Sequence, residues 1–154
     1  MVSAHTRFWL MAGAFSIAVL RAGACPAVEP YAPTPAEIAQ MPDYCQAKVG
    51  GPAFAAQQAN WSERFGALWN DMHHYCLGLK NLQRASRPGI SQQDKGYNLT
   101  QAIGEFDYML HSRSAPGHWF LPQIHLQKAL TYTRMGQHER AAAEFKLAKE
   151  SERR

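Results

Sequence analysis

The sequence predicts an all-α fold, and three observations carry that expectation. Apolar residues recur at steps of three and four, as Phe65, Leu68, Trp69, Met72, Cys76 and Leu79 do, which is the stripe of an amphipathic helix. No stretch of any length alternates apolar and polar residues as a half-buried strand would. Breaks rich in serine, glycine and proline, "SRPGIS" from Ser86 and "SRSAPG" from Ser112, part the periodic stretches into pieces of helical length. Antiparallel helical hairpins forming one domain over 36–154 are the expected architecture.

The chain opens differently. "MVSAHTR" supplies a basic end at Arg7, residues 8–20 are an apolar run short for a bilayer span, and residues 22–24, "AGA", offer small side chains for cleavage. Residues 1–24 therefore read as a secretory signal of bacterial type, which puts the mature protein in the periplasm or outside the cell. The signal holds Arg7 and Arg21 and no acid, so the 16 Lys and Arg less these two leave 14 against 12 Asp and Glu. With that near balance, and no Lys/Arg run interleaved with aromatics, nucleic acid is not an expected partner.

Of three cysteines, Cys25 stands at the processing site. "RAGAC" is similar to a bacterial lipobox, whose cysteine is lipidated and becomes the first mature residue, although Arg21 and Ala22 depart from the usual motif. Cys25 is thus either a point of membrane attachment or lost with the signal. Cys45 and Cys76 remain as an even pair in an exported chain, for which a disulfide is the default.

Residues 25–35, "CPAVEPYAPTP", carry four prolines and read as an extended leader. Thr34 and Pro35 then supply an N-cap and a first-turn proline, Pro42 divides the following segment into a short turn and a helix bearing Tyr44 and Cys45, and Gly50 and Gly51 stop it. A single long helix is expected over 57–86. Another is expected over 92–112, with Leu99, Ala102, Ile103, Phe106 and Leu110 on one face. Two more, over 120–135 and 138–151, join tightly at Gly136.

Reactive-looking residues cluster in "WNDMHHYC", from Trp69 to Cys76. On a helix His73 and Cys76 project about 60° apart and His74 and Cys76 about 160° apart, so the three cannot share one metal. Cys45, His73 and Cys76 make only three ligands where a closed structural zinc site takes four, and there is no C-x-x-C pair. A disulfide with a packed histidine is the first reading. A metal-handling or redox accessory protein using Cys45, His73 and Cys76 is the second. Asp71, Glu105, Asp107 and Glu144 read as solvated helix faces, and no phosphate-cradling loop or nucleophile elbow is present, so neither an enzyme nor a cofactor is expected.

The final helices hold a spaced pattern, Ala129, Tyr132, Gly136, Ala141, Phe145 and Ala148. It resembles the tetratricopeptide repeat (TPR), whose signature is A-x2-Y-x3-G-x4-A-x3-F-x2-A. Small Ala129 and Ala141 would let two helices approach, Gly136 would make the turn, and Tyr132, Phe145 and Ala148 would fill the space behind. His125 and Lys128 stand where the family carries Trp and Leu. Leu77-Gly78 and Ala102 to Phe106 trace a degenerate second copy, with the Cys45 helix, crosslinked to Cys76, capping the stack. The resemblance implies a short α-solenoid that binds a protein or peptide rather than catalysing a reaction. It also implies ligand contacts on the inner face of the first helix, at Gln123, Leu126, Leu130, Thr133 and Arg134. Of these Gln123, Thr133 and Arg134 are the polar candidates, with Arg134 foremost.

Overall fold

A computed structural model describes residues 30–153. The signal expected over 1–24 and Cys25 lie outside the described residues, as do residues 25–29 of the proline-rich leader. The described residues form seven α-helices and no strand.

Helix α1, Pro35–Ala39, starts as its sequence dictates: the Glu37 N–H donates to Thr34 Oγ1 at 3.3 Å and the Thr34 N–H donates to Glu37 Oε2 at 2.7 Å, a complete capping box. Pro42 ends that segment, and α2, Asp43–Val49, begins directly behind it. A 3-10 turn then leads into α3, Ala55–Phe65.

The single helix expected over 57–86 is not formed. Gly66, at φ 54° and ψ −137°, ends α3; a 3-10 turn, Gly66–Asn70, follows, and α4, Met72–Arg84, starts afresh. A positive φ is one that glycine adopts without steric penalty. The apolar stripe runs through the break because the 3-10 turn still aims Leu68 and Trp69 into the core.

Helix α5, Gln92–His111, is capped by Ser91, whose Oγ accepts from the Asp94 N–H at 3.0 Å. Helices α6, Leu121–Arg134, and α7, His138–Ser151, are joined through Gly136 at φ 73°. Helix α4 packs along α5, and α6 along α7, while α5 meets α6 and α2 meets both α3 and α4. The core lies between these layers, with Phe65, Met72, Tyr75, Phe106, Met109 and Ile124 fully enclosed. A Cβ at Gly78 would sit 2.4 Å from Phe106 Cε1, so glycine there sets how closely α4 approaches α5.

Cys45 and Cys76 are bonded, with Cα atoms 5.4 Å apart, tying α2 to α4. A second tie is ionic. Arg84 grips the Glu37 carboxylate at 2.7 and 3.0 Å, and Arg87 adds a contact at 2.6 Å. Arg84 also donates to the carbonyls of Pro30 and Ala32, and Lys80 to that of Tyr31 at 2.6 Å. The end of the leader is thus strapped across α4, and both cations are buried beneath it.

In the last hairpin Ala129, Ala141 and Ala148 are buried at the α6–α7 contact and Tyr132 is half-buried under the Arg140 guanidinium. Phe145 departs from expectation: 42% exposed, it faces outward and fills no interior gap. The turn offers a clean test. Nothing lies within 4 Å of a Cβ at Gly136 or at Gly104, but only Gly136 has a positive φ. Gly136→Val is expected to cost about 1–2 kcal/mol of backbone strain, whereas Gly104→Ala, inside α5, should stabilise by up to about 1 kcal/mol. Urea unfolding of the two variants checks the opposite signs; equal midpoints would overturn this account of the turn.

Candidate functional site

Two helix faces meet across a groove. On one side α4 and the residue that follows its end present Tyr75, Leu79, Gln83 and Ser86, spaced by three and four so that they share one face. On the other, α6 presents Gln123, Gln127 and Arg134, again at helical spacing. Gln40, Pro42 and Tyr44 also line it, and its volume is about 300 Å³.

The groove is lined by side-chain amides and hydroxyls. Gln123 Nε2 donates to the Tyr75 hydroxyl at 3.3 Å across it, and Arg134 donates to Ser86 Oγ at 3.2 Å. Burial, reinforced by neighbouring Tyr44, pushes the Tyr75 hydroxyl well above its ordinary pKa, so it acts as a neutral phenol. Gln83 Nε2 reaches the Glu37 carbonyl at 3.4 Å. Gln83 Oε1 is buried with no hydrogen-bond partner, the one such side-chain atom among the described residues. A buried acceptor left unmade costs free energy.

The structure brings Gln123 and Arg134 into this groove and leaves Thr133 out. Thr133 is exposed, and its hydroxyl donates back to the Ala129 carbonyl at 2.9 Å within its own helix. Leu126 and Leu130 do not line it either. Tyr75, Gln83 and Gln127 were not singled out by sequence. Gln127 stands four residues after Gln123, a spacing that puts both amides on one face, whereas nothing in the sequence says that α4 lies opposite.

The residues of "WNDMHHYC" part company. The Cys45 and Cys76 sulfurs are bonded to each other and buried, so they do not join His73 in a ligand set. His73 Nδ1 lies 3.0 Å from the Asn70 carbonyl, and His74 lies 2.7 Å from Glu105 Oε2 with its ring stacked on Tyr108. No group of three or more His, Cys, Asp or Glu among the described residues is placed to hold a metal ion.

The acids expected on solvated faces are engaged. Glu144, buried on α7, meets His125 at 2.7 Å and Lys128 at 2.5 Å, and Lys128 also meets Asp107 of α5 at 2.7 Å. Burial would raise the Glu144 carboxyl, but the hydrogen bonds from His125 and Lys128 outweigh it and hold the group below the ordinary range. The two positions that depart from the TPR pattern, His125 and Lys128, are thus the pair that hydrogen-bonds this buried acid. Glu105 takes the Tyr31 hydroxyl at 3.0 Å as well as His74, and Asp71 accepts from the Ser112 hydroxyl.

Comparison with protein-family models, with curated proteins and with solved structures finds no match. The groove's own chemistry is what bears on function. No helix among the described residues is long and apolar enough to cross a membrane.

Proposed function

We propose that this is an exported, non-enzymatic adapter that binds an extended segment of a protein or peptide partner along the α4–α6 groove. The paired helices α4–α5 and α6–α7 serve as a short TPR-like stack, with the disulfide-tethered α2 capping one end. The observation that carries this reading is the groove in which the side-chain amides of Gln83, Gln123 and Gln127 and the cation of Arg134 come together. An extended backbone presents alternating N–H donors and C=O acceptors. Side-chain amides match both. Export rests on the leader read from residues 1–24, and the bonded cysteines fit an oxidising compartment. Attachment to a membrane through Cys25 is part of the proposal.

The test is affinity capture by the mature protein from its native envelope fraction, beside the variants Gln83→Leu, Gln127→Ala and Arg134→Ala. A true partner is expected to be retained by the parent and lost or weakened by about tenfold in each variant, with melting temperatures little changed for the two α6 substitutions. Equal retention by all four proteins would remove the groove from the reading.

A further inference from the structure

Tyr44 and Gln123, which line the groove, also line a second cavity of about 530 Å³. Its walls are aromatic. Trp61 and Phe65 from α3 face Trp119 and Phe120 from the start of α6, with Tyr44 at the junction. The rings meet largely edge to face, Tyr44 against Trp61 at 76°, Phe65 against Phe120 at 82° and Trp119 against Phe120 at 77°. Such a mosaic presents both faces and edges, to which one more ring can add in a favourable geometry.

Trp119 remains 52% exposed beside this cavity, and Trp61 is half-exposed. Arg64 spans the two indoles, 5.4 Å from the Trp61 ring and 5.2 Å from that of Trp119, and so fixes their separation at a favourable cation–π distance. The charges on the lining are Arg64 and Glu152, one of each sign. A phosphate or sulfate would meet no net positive charge there.

We infer that this cavity is the anchor pocket of the groove: it takes one aromatic side chain of the extended segment whose backbone lies along Gln123, Gln127 and Gln83. The inference rests on the adapter reading and sharpens it, because a backbone-binding groove alone does not discriminate between sequences, whereas a pocket of Trp and Tyr walls does. Tryptophan, tyrosine and arginine at a partly enclosed pocket are the composition that dominates binding energy at protein interfaces. The shared lining residues Tyr44 and Gln123 place the two parts side by side, so a single segment can lay its amide units in the groove and its ring in the aromatic cavity.

The experiment uses the full mature chain and two acetylated, amidated hexapeptides of glycine and serine, one bearing a central phenylalanine and the other alanine at that place. Titration followed by tryptophan emission and by calorimetry should show the phenylalanine peptide binding at least about tenfold tighter. In Trp119→Ala that preference should vanish while the melting temperature holds, since the side chain is half in solvent. Arg134→Ala, in the groove but outside the pocket, should weaken both peptides alike and leave their ratio intact. A preference that survives Trp119→Ala, or equal binding of the two peptides, overturns the anchor pocket. If Arg134→Ala still weakens both peptides, the adapter reading stands without it. No binding of either peptide at millimolar concentration overturns both. Sedimentation showing dimers that Trp119→Ala dissolves would assign the pocket to a second copy of the chain and overturn the inference in another way.

Discussion

Arg84→Met is expected to destabilise the protein by about 3–5 kcal/mol, because it leaves the buried Glu37 carboxylate without its bidentate partner. The two side chains are only 5% and 8% exposed, so solvent cannot take over the lost contacts. The same change frees the carbonyls of Pro30 and Ala32, and the strap over α4 should loosen with it. The pH dependence follows from the carboxyl itself. Burial would raise its pKa, but Arg84 and the Thr34 cap outweigh burial and hold it at about 2, against an ordinary 4.5. A carboxyl depressed on folding contributes its stability in full above the unfolded value and loses it as pH falls through the folded one. The contribution, about 3 kcal/mol by linkage, should therefore be present at neutral pH and drain away between about 4.5 and 2. Urea denaturation of the parent and of Glu37→Gln across that window tests it. The parent's stability should fall more steeply with acid, and parallel curves would mean that the pair does not carry the effect assigned to it.

Breaking the crosslink is the second large change expected. Cys45 and Cys76 are separated by 31 residues, and a loop of that length constrains the unfolded chain by about 3–4 kcal/mol in the chain-entropy description. Both positions are fully enclosed, so Cys45→Ala with Cys76→Ala is the cleaner variant, since serine would bury two hydroxyls without partners. A melting temperature lowered by roughly 10 °C or more is expected for a domain of this size, with the same loss on reducing the parent. Equal melting of the reduced and oxidised parent would sink the claim that the bond, rather than packing, holds α2 on α4.

What the sequence made legible was periodic or punctuated. The helices over α5 to α7, the capping box at Thr34 and the division at Pro42 all follow from local signals. Gly66 shows the limit: a glycine inside an unbroken apolar stripe left the break open, because a 3-10 turn keeps the stripe in phase. The cysteine pairing was legible from parity and from the export expected of the leader. Half of the groove was legible, Gln123 and Arg134, because they sit at register positions of one helix. Gln83 and Tyr75 were not, since facing α4 to α6 is a matter of tertiary packing. Nor was the engagement of Glu37, Glu105 and Glu144, as a carboxylate's partner two helices away leaves no mark in its own neighbourhood. Phe145 shows the opposite error, a residue placed by pattern in an interior that does not close around it.

Helix α7 leans chiefly on α6, and its buried positions are Ala141, Glu144 and Ala148. Two alanines bury little apolar area, so the helix is held to a large extent by the Glu144 carboxylate with Lys128 and His125. The opposite end of the molecule is stapled by a covalent bond, a buried ion pair and the aromatic core. Resistance to local opening is therefore expected to be graded along the chain: α7 should detach before α2, α4 and α5 open, exposing His125 while Lys128 keeps its contact with Asp107. The latch at α7 is ionic, whereas the stapled end keeps its covalent bond even when Glu37 is protonated, so acid that weakens both ends leaves one of them tethered.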